Sequence, residues 1–183
     1  MALSFPQKKL FHLPEGVIYL DGNSLGPMPK GAAERASEVI QDEWGQELIR
    51  AWNTADWMAL PQKVGDRIGR LIGAAEGSVV TGDTLSIKVY QALAAALMMR
   101  SERRVILSDN GNFPSDLYMA QGLIDTIGKD HELRTPAPED VANAITHEVA
   151  VVMLTHVDYR SGRMHDMAEI TARAHAAGAV MIW

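Results

Sequence analysis

The sequence predicts an α/β fold: a mostly parallel sheet with flanking helices, the large domain incomplete and preceded by an N-terminal helical segment. Three observations carry this. From Ser78 onward, short apolar runs alternate with longer helical patterns, the texture of parallel strands joined by right-handed crossovers. Val149-Ala150-Val151-Val152-Met153-Leu154 is apolar without alternation, as suits a strand buried on both faces. The 183 residues are 47% hydrophobic and 22% charged, so the chain can bury a core as one substantial domain or as part of a larger one.

Taken in order, residues 1–16 read as an arm whose periodicity is interrupted by Pro6 and Pro14. Val17-Ile18-Tyr19-Leu20 is a short strand pattern, ended by the turn Asp21-Gly22-Asn23-Ser24-Leu25-Gly26-Pro27, either an anion nest or a plain connection. Between Gly31 and Ile49, the residues Ala36, Val39, Ile40, Trp44 and Leu48 share a helical face. A second helix over Leu60 to Ile72 groups Val64, Ile68, Leu71 and Ile72, with Gly73 as its stop. These helices are expected to pack on another domain or subunit, so residues 1–77 form an N-terminal arm and helical segment. Residues 78–183 are the front part of a sheet-bearing domain, truncated at its C-terminal end.

In that second part, Val79-Val80-Thr81 reads as a strand and Thr84 to Met99 as an Ala-rich helix. Val105–Ser108 is a strand, followed by a helix from about Ser115. Glu132–Thr135 is a strand pattern, and Pro138 opens a short helix where its missing N–H does no harm. Asp166 and Glu169 resemble a capping box for a helix with Met167, Ile170 and Ala174 inward. Ala179–Trp183 reads as another buried strand, and one sheet face is expected to lack a covering helix.

Several classes are excluded or disfavoured. A net charge of −6 is not the basic face of a nucleic-acid binder. With no cysteine, disulfides, thiolate metal sites and cysteine nucleophiles are impossible, which fits a cytoplasmic protein. The longest apolar run, Ala92 to Met99, is too short to span a membrane, and residues 1–16 lack a signal-peptide segment. Gly122 to Lys129 has the wrong spacing for a phosphate-binding P-loop, and no helical histidine pair suggests a metal. The stretch Asn112-Phe113-Pro114-Ser115-Asp116 stands out. It sets a flat ring, a hydroxyl and a carboxylate between a strand and a helix start, where open parallel sheets bind ligands. Pro and Asp are also ordinary helix-start residues.

Four stretches, in this order, resemble kynureninase: Leu20 to Pro27, Asp83-Thr84-Leu85-Ser86, Asn112 to Asp116, and His156-Val157-Asp158-Tyr159-Arg160-Ser161-Gly162. The family cleaves the Cβ–Cγ bond of L-kynurenine or 3-hydroxykynurenine with pyridoxal 5'-phosphate, within tryptophan catabolism and NAD biosynthesis. The resemblance implies the fold type I architecture of that cofactor class and a homodimeric complete protein. It assigns Leu85 and Ser86 to the cofactor phosphate and Phe113 to the ring face. Pro114, Ser115 and Asp116 complete that loop, Thr155 is the hydroxyl beneath the cofactor, and Asn23 and Ser24 approach the substrate. The family's pyridinium-pairing aspartate, Schiff-base lysine and substrate-carboxylate arginine match no position here. Lys88 and Lys129 lie in helical stretches, so no catalytic residue is assigned and the chain alone is expected to be inactive. Competing expectations are an aminotransferase or cysteine desulfurase of the same cofactor class, and a non-catalytic fragment acting as an assembly partner.

Overall fold

The computed structural model describes residues 8–128 and 130–183. Pro6 of the expected arm and Lys129 lie outside them. The chain divides into two compact units, Met1–Thr81 and Gly82–Trp183.

The first unit is helical. Short α1 (Ala32–Glu38) runs into a π-helical stretch, Val39–Trp44, then α2 (Gly45–Glu47). The single helix expected to Ile49 ends early because Leu48 takes a positive φ of 53°, a conformation that breaks the helical path. A 3-10 turn leads into α3 (Ala51–Thr54), and α4 spans Leu60–Ile72. Pro61 sits in the first turn of α4, and left-handed Gly73 (φ 72°) closes it, as its sequence indicated. The apolar stripe predicted for the first helix stays open in this chain: Ile40, Trp44 and Leu48 are all exposed.

Two strand expectations fail here. Val79–Thr81 forms no strand and lies against α4, where Thr81 N–H donates to Pro61 O (3.2 Å) and Gln62 Nε2 donates to Val79 O (3.2 Å). Its backbone groups are thus engaged by a helix instead of a ladder. That approach needs Gly65, since a Cβ there would stand 2.0 Å from Val79 O. Val17–Leu20 likewise has no strand partner among the described residues.

The second unit alternates helix and strand: α5 (Leu85–Met99), β1 (Val105–Leu107), α6 (Pro114–Ile127), β2 (Glu132–Arg134), α7 (Val141–Ala144), β3 (Val149–Met153), α8 (Met167–Ala176) and β4 (Val180–Ile182). All strand pairs are parallel, in the order β2-β1-β3-β4. Helices α5 and α6 cover one face, packing Leu93, Leu97, Ala120 and Leu123 on Ile106, Ala150, Val151 and Met153. On the other face, Val141 and the α8 residues Ile170 and Ala174 pack on Val105, Leu107, Val149 and Val152. Both faces of the central pair are therefore covered, contrary to the expectation of a bare face. Strand β4 is at the edge and only half-buried, not fully buried as expected. Met167 is 38% exposed and does not join the core.

Asp166 caps α8 by accepting from Glu169 N–H (2.9 Å). The Glu169 carboxylate turns to Arg173 instead (3.0 Å), so only half of the capping box forms. The β1–β3 register contains a bulge: Val105 opposes Val149, but Ile106 opposes Val151. Ala150 and Val151 consequently face the same side, and every β3 residue beyond them changes face relative to strict alternation.

Leu93 is fully buried between α5, α6 and the sheet. Leu93→Ala should lower unfolding stability by about 2–5 kcal/mol, the range for truncating a buried leucine. Urea denaturation of the 183-residue chain checks this, and a loss below about 1 kcal/mol would show that the α5–α6 face is not a packed core.

Candidate functional site

Helices α5 and α6 each connect closely to β1, so both run opposite to it and start at its carboxyl edge. Helix α6 leaves β1 for one face, whereas α8 follows β3 onto the other. Diverging crossovers open a crevice between the ends of adjacent strands, the general ligand position of open parallel sheets.

The β1 end supplies Ser108, Asp109 and Asn112, all buried. The β3 end supplies Thr155, which is exposed but hydrogen-bonded to Asn112 Oδ1 (2.6 Å). Phe113 is the N-cap of α6 in extended conformation, with Pro114 in the first turn, which fixes where the ring emerges. The residue is 48% exposed, and its ring meets the Tyr159 ring edge-on at 5.0 Å. Ser115 Oγ reaches the Asp116 carboxylate at 3.4 Å. Asp116 is 8% exposed, and burial pushes its carboxyl above the usual range, opposed by the Ser115 hydrogen bond.

The structure therefore brings Phe113, Pro114, Ser115, Asp116 and Thr155 to one edge. Leu85 and Ser86 open α5 at the same edge; no hydrogen bond joins them to the Phe113 loop among the described residues. Thr84 caps α5 in extended conformation without a side-chain bond, and the first turn carries no acidic residue, leaving N–H groups suited to an anion. Asn23 and Ser24 lie in the first unit, in an exposed turn where Ser24 Oγ donates to Asp21 Oδ1 (2.7 Å).

Sequence reasoning passed over a buried polar cluster behind this edge. Asp109 accepts from Gly111 N–H (2.8 Å), and its other oxygen lies 2.8 Å from His165 Nε2 and 3.6 Å from Arg163 Nη2. Asp158 Oδ1 accepts from the Arg160 and Ser161 N–H groups and from Ser161 Oγ. These bonds, Ser161's foremost, hold its carboxyl down at about 2. The hairpin from His156 to His165 thus seats Tyr159 against Phe113, with Arg160 over the Tyr159 ring at 5.4 Å. The Asp158–Ser161 spacing of a side-chain-capped turn was the available signal. The pairing of Asp109 with His165, 56 positions apart, had none.

The edge offers a free helix start with a hydroxyl, suited to an anion, an available aromatic face, and a strand-end hydroxyl whose hydrogen goes to Asn112 Oδ1. It includes no amine. Lys88 Nζ is bonded to Gln91 Oε1 (3.0 Å) and sits 3.9 Å from Asp83.

No protein-family model matches the chain. A kynureninase from Burkholderia pseudomallei (strain 1106a) is 53% identical over 97% of this chain and 44% of its own length. The chain is kynureninase-like. Kynureninases from Burkholderia mallei (strain SAVP1) and Pseudomonas fluorescens match at 52% and 50% identity with the same coverage. The chain thus spans less than half the length of these kynureninases. A solved structure titled as a C-DES mutant with glycine covalently linked to its PLP cofactor shares the fold. The TM-score is 0.74 at 17% identity, covering 96% of this chain and 47% of that one.

The raised Asp116 carboxyl yields a signed expectation. Its folded-state value lies above the unfolded one, so its ionisation costs stability increasingly as pH rises from about 4. Asp116→Asn should therefore be more stable than the parent at neutral pH, with the gap closing on acidification below that range. Thermal melts of both chains across pH check this; a constant gap would assign the difference to packing.

Proposed function

We propose that the chain is the front part of a kynureninase, a pyridoxal 5'-phosphate enzyme that hydrolyses the Cβ–Cγ bond of L-kynurenine or 3-hydroxykynurenine to release L-alanine. The carrying observation is 50–53% identity to kynureninases across nearly all of this chain. The residues at the strand edge fit the cofactor's shape and charge. Leu85 and Ser86 would hold its phosphate at the α5 N-terminus. Phe113 would lie on the ring face, with Pro114, Ser115 and Asp116 completing the loop and Thr155 on the same edge. Asn23 and Ser24 would approach the substrate. When bound, the cofactor supplies an electron sink for cleaving bonds next to the substrate's amine-bearing carbon.

In this reading residues 1–77 are the N-terminal helical segment and 78–183 the front of the cofactor-binding domain. The exposed apolar side chains Ile40, Trp44 and Leu48 support homodimer formation by the complete protein. The absence of cysteine accords with a cytoplasmic location.

No lysine here matches the attachment position, so the purified 183-residue chain should bind pyridoxal 5'-phosphate weakly and reversibly and form no anthranilate from kynurenine. The full-length protein should form it. Anthranilate production by the 183-residue chain, shown by intact mass to be free of longer forms, would refute this account of the lysine. Amino-group transfer or sulfide release by the full-length protein would assign it to another enzyme of the cofactor class.

If Phe113 covers the ring face, Phe113→Ala should weaken cofactor binding by about 1 kcal/mol beyond lost area. Equilibrium dialysis measures it, with an unchanged dissociation constant returning Phe113 to a surface role.

A further inference from the structure

The hydrogen bonds around Asn112 fix more than position; they fix the direction of each proton. A backbone carbonyl only accepts, so the Ser108 hydroxyl must donate its single hydrogen to Met153 O (2.7 Å). Ser108 Oγ is then an acceptor, and the Asn112 Nδ2 amide donates to it at 3.0 Å. The amide orientation is settled independently at its other end, where Phe113 N–H donates to Asn112 Oδ1 (2.7 Å). With Oδ1 an acceptor, the Thr155 hydroxyl must donate to it at 2.6 Å. Ser108 is fully buried and Asn112 is 7% exposed, so water does not compete easily for these bonds.

Thr155 thus spends its only hydrogen inward, and its oxygen presents lone pairs alone to the crevice it lines with Phe113. We infer that Asn112 is a positioning residue that makes Thr155 an obligate hydrogen-bond acceptor, so that the ligand group meeting it is an N–H donor, an ammonium above all. An oxygen anion at the same place would face lone pair against lone pair. This rests on the proposed placement of a phosphorylated pyridine beside Thr155 and adds the polarity of the group the site selects.

The test compares two phosphorylated pyridines that differ in one group: pyridoxamine 5'-phosphate, with an ammonium, and 4-deoxypyridoxine 5'-phosphate, with a methyl hydrogen in its place. Binding to the 183-residue chain should favour the amine by about tenfold, the scale of a hydrogen bond to a charged group. Thr155→Val should abolish the preference and Thr155→Ser should keep it. Asn112→Leu, which frees the hydroxyl to rotate, should lower affinity for the amine while leaving the deoxy compound unchanged. Because a general loosening of the site would weaken both ligands together, the ratio isolates proton direction from structure. If Asn112→Leu does not fold, the Thr155 pair decides the matter. Equal binding of the two compounds by the parent chain, or a ratio indifferent to Thr155→Val, overturns the inference alone. Failure of both compounds to bind overturns it together with the proposed cofactor site.

Discussion

Everything at the candidate site depends on β1 and β3 being adjacent and parallel while their outgoing helices part. The pair is buried on both faces: Ile106, Leu107, Val151 and Val152 have no exposed surface. That double burial requires a helix on each side, so α6 and α8 must leave in opposite directions. The space between their starting points cannot be filled by either. Loops from Ser108 to Phe113 and from Thr155 to His165 line it, and their polar backbone groups need partners.

The bulge in β3 decides which residues meet there. Strict alternation from Val149 would place Thr155 on the α8 side of the sheet. The extra residue at Ala150 and Val151 reverses the parity, and Thr155 comes within 2.6 Å of Asn112 beside the α6 N-terminus. Bulges commonly re-aim side chains next to functional sites. Here a single irregularity in a buried strand links packing to chemistry.

The polar residues behind the edge are arranged to hold loops still. Asp109 and His165 are nearly fully buried and 2.8 Å apart, so either one alone would be costly to leave unpaired. Their pairing ties the hairpin carrying Tyr159 to the end of β1. Asp116 is treated differently: it is buried with one long hydrogen bond, at a helix start where its charge is favoured. Burial opposes its ionisation, and the Ser115 hydrogen bond does not fully offset that cost.

Much of this could be read from the residues. Val149–Leu154 announced a doubly buried strand by lacking alternation, and Gly73 and Asp166 marked helix ends through local backbone chemistry. The Phe113 loop stood out because it sets a ring, a hydroxyl and a carboxylate between an apolar run and a helix start. Local signals sufficed wherever the determining contacts lie within a few positions. Val79–Thr81 misled because a strand pattern says nothing about whether a partner strand exists; Gly65 offered it a helix backbone instead. The bulge, the Asp109–His165 pair and the Asn112–Thr155 bond left no trace of that kind. They join residues 43 to 56 positions apart, and only the sheet's strand order brings those ends together. The sequence by itself determined the strands and helices of the second unit from Leu85 onward and the ends of its helices, because periodicity and capping are local. Tertiary structure alone decided which side chains share the crevice and which way their protons point, because that depends on register and on the partners each buried donor finds.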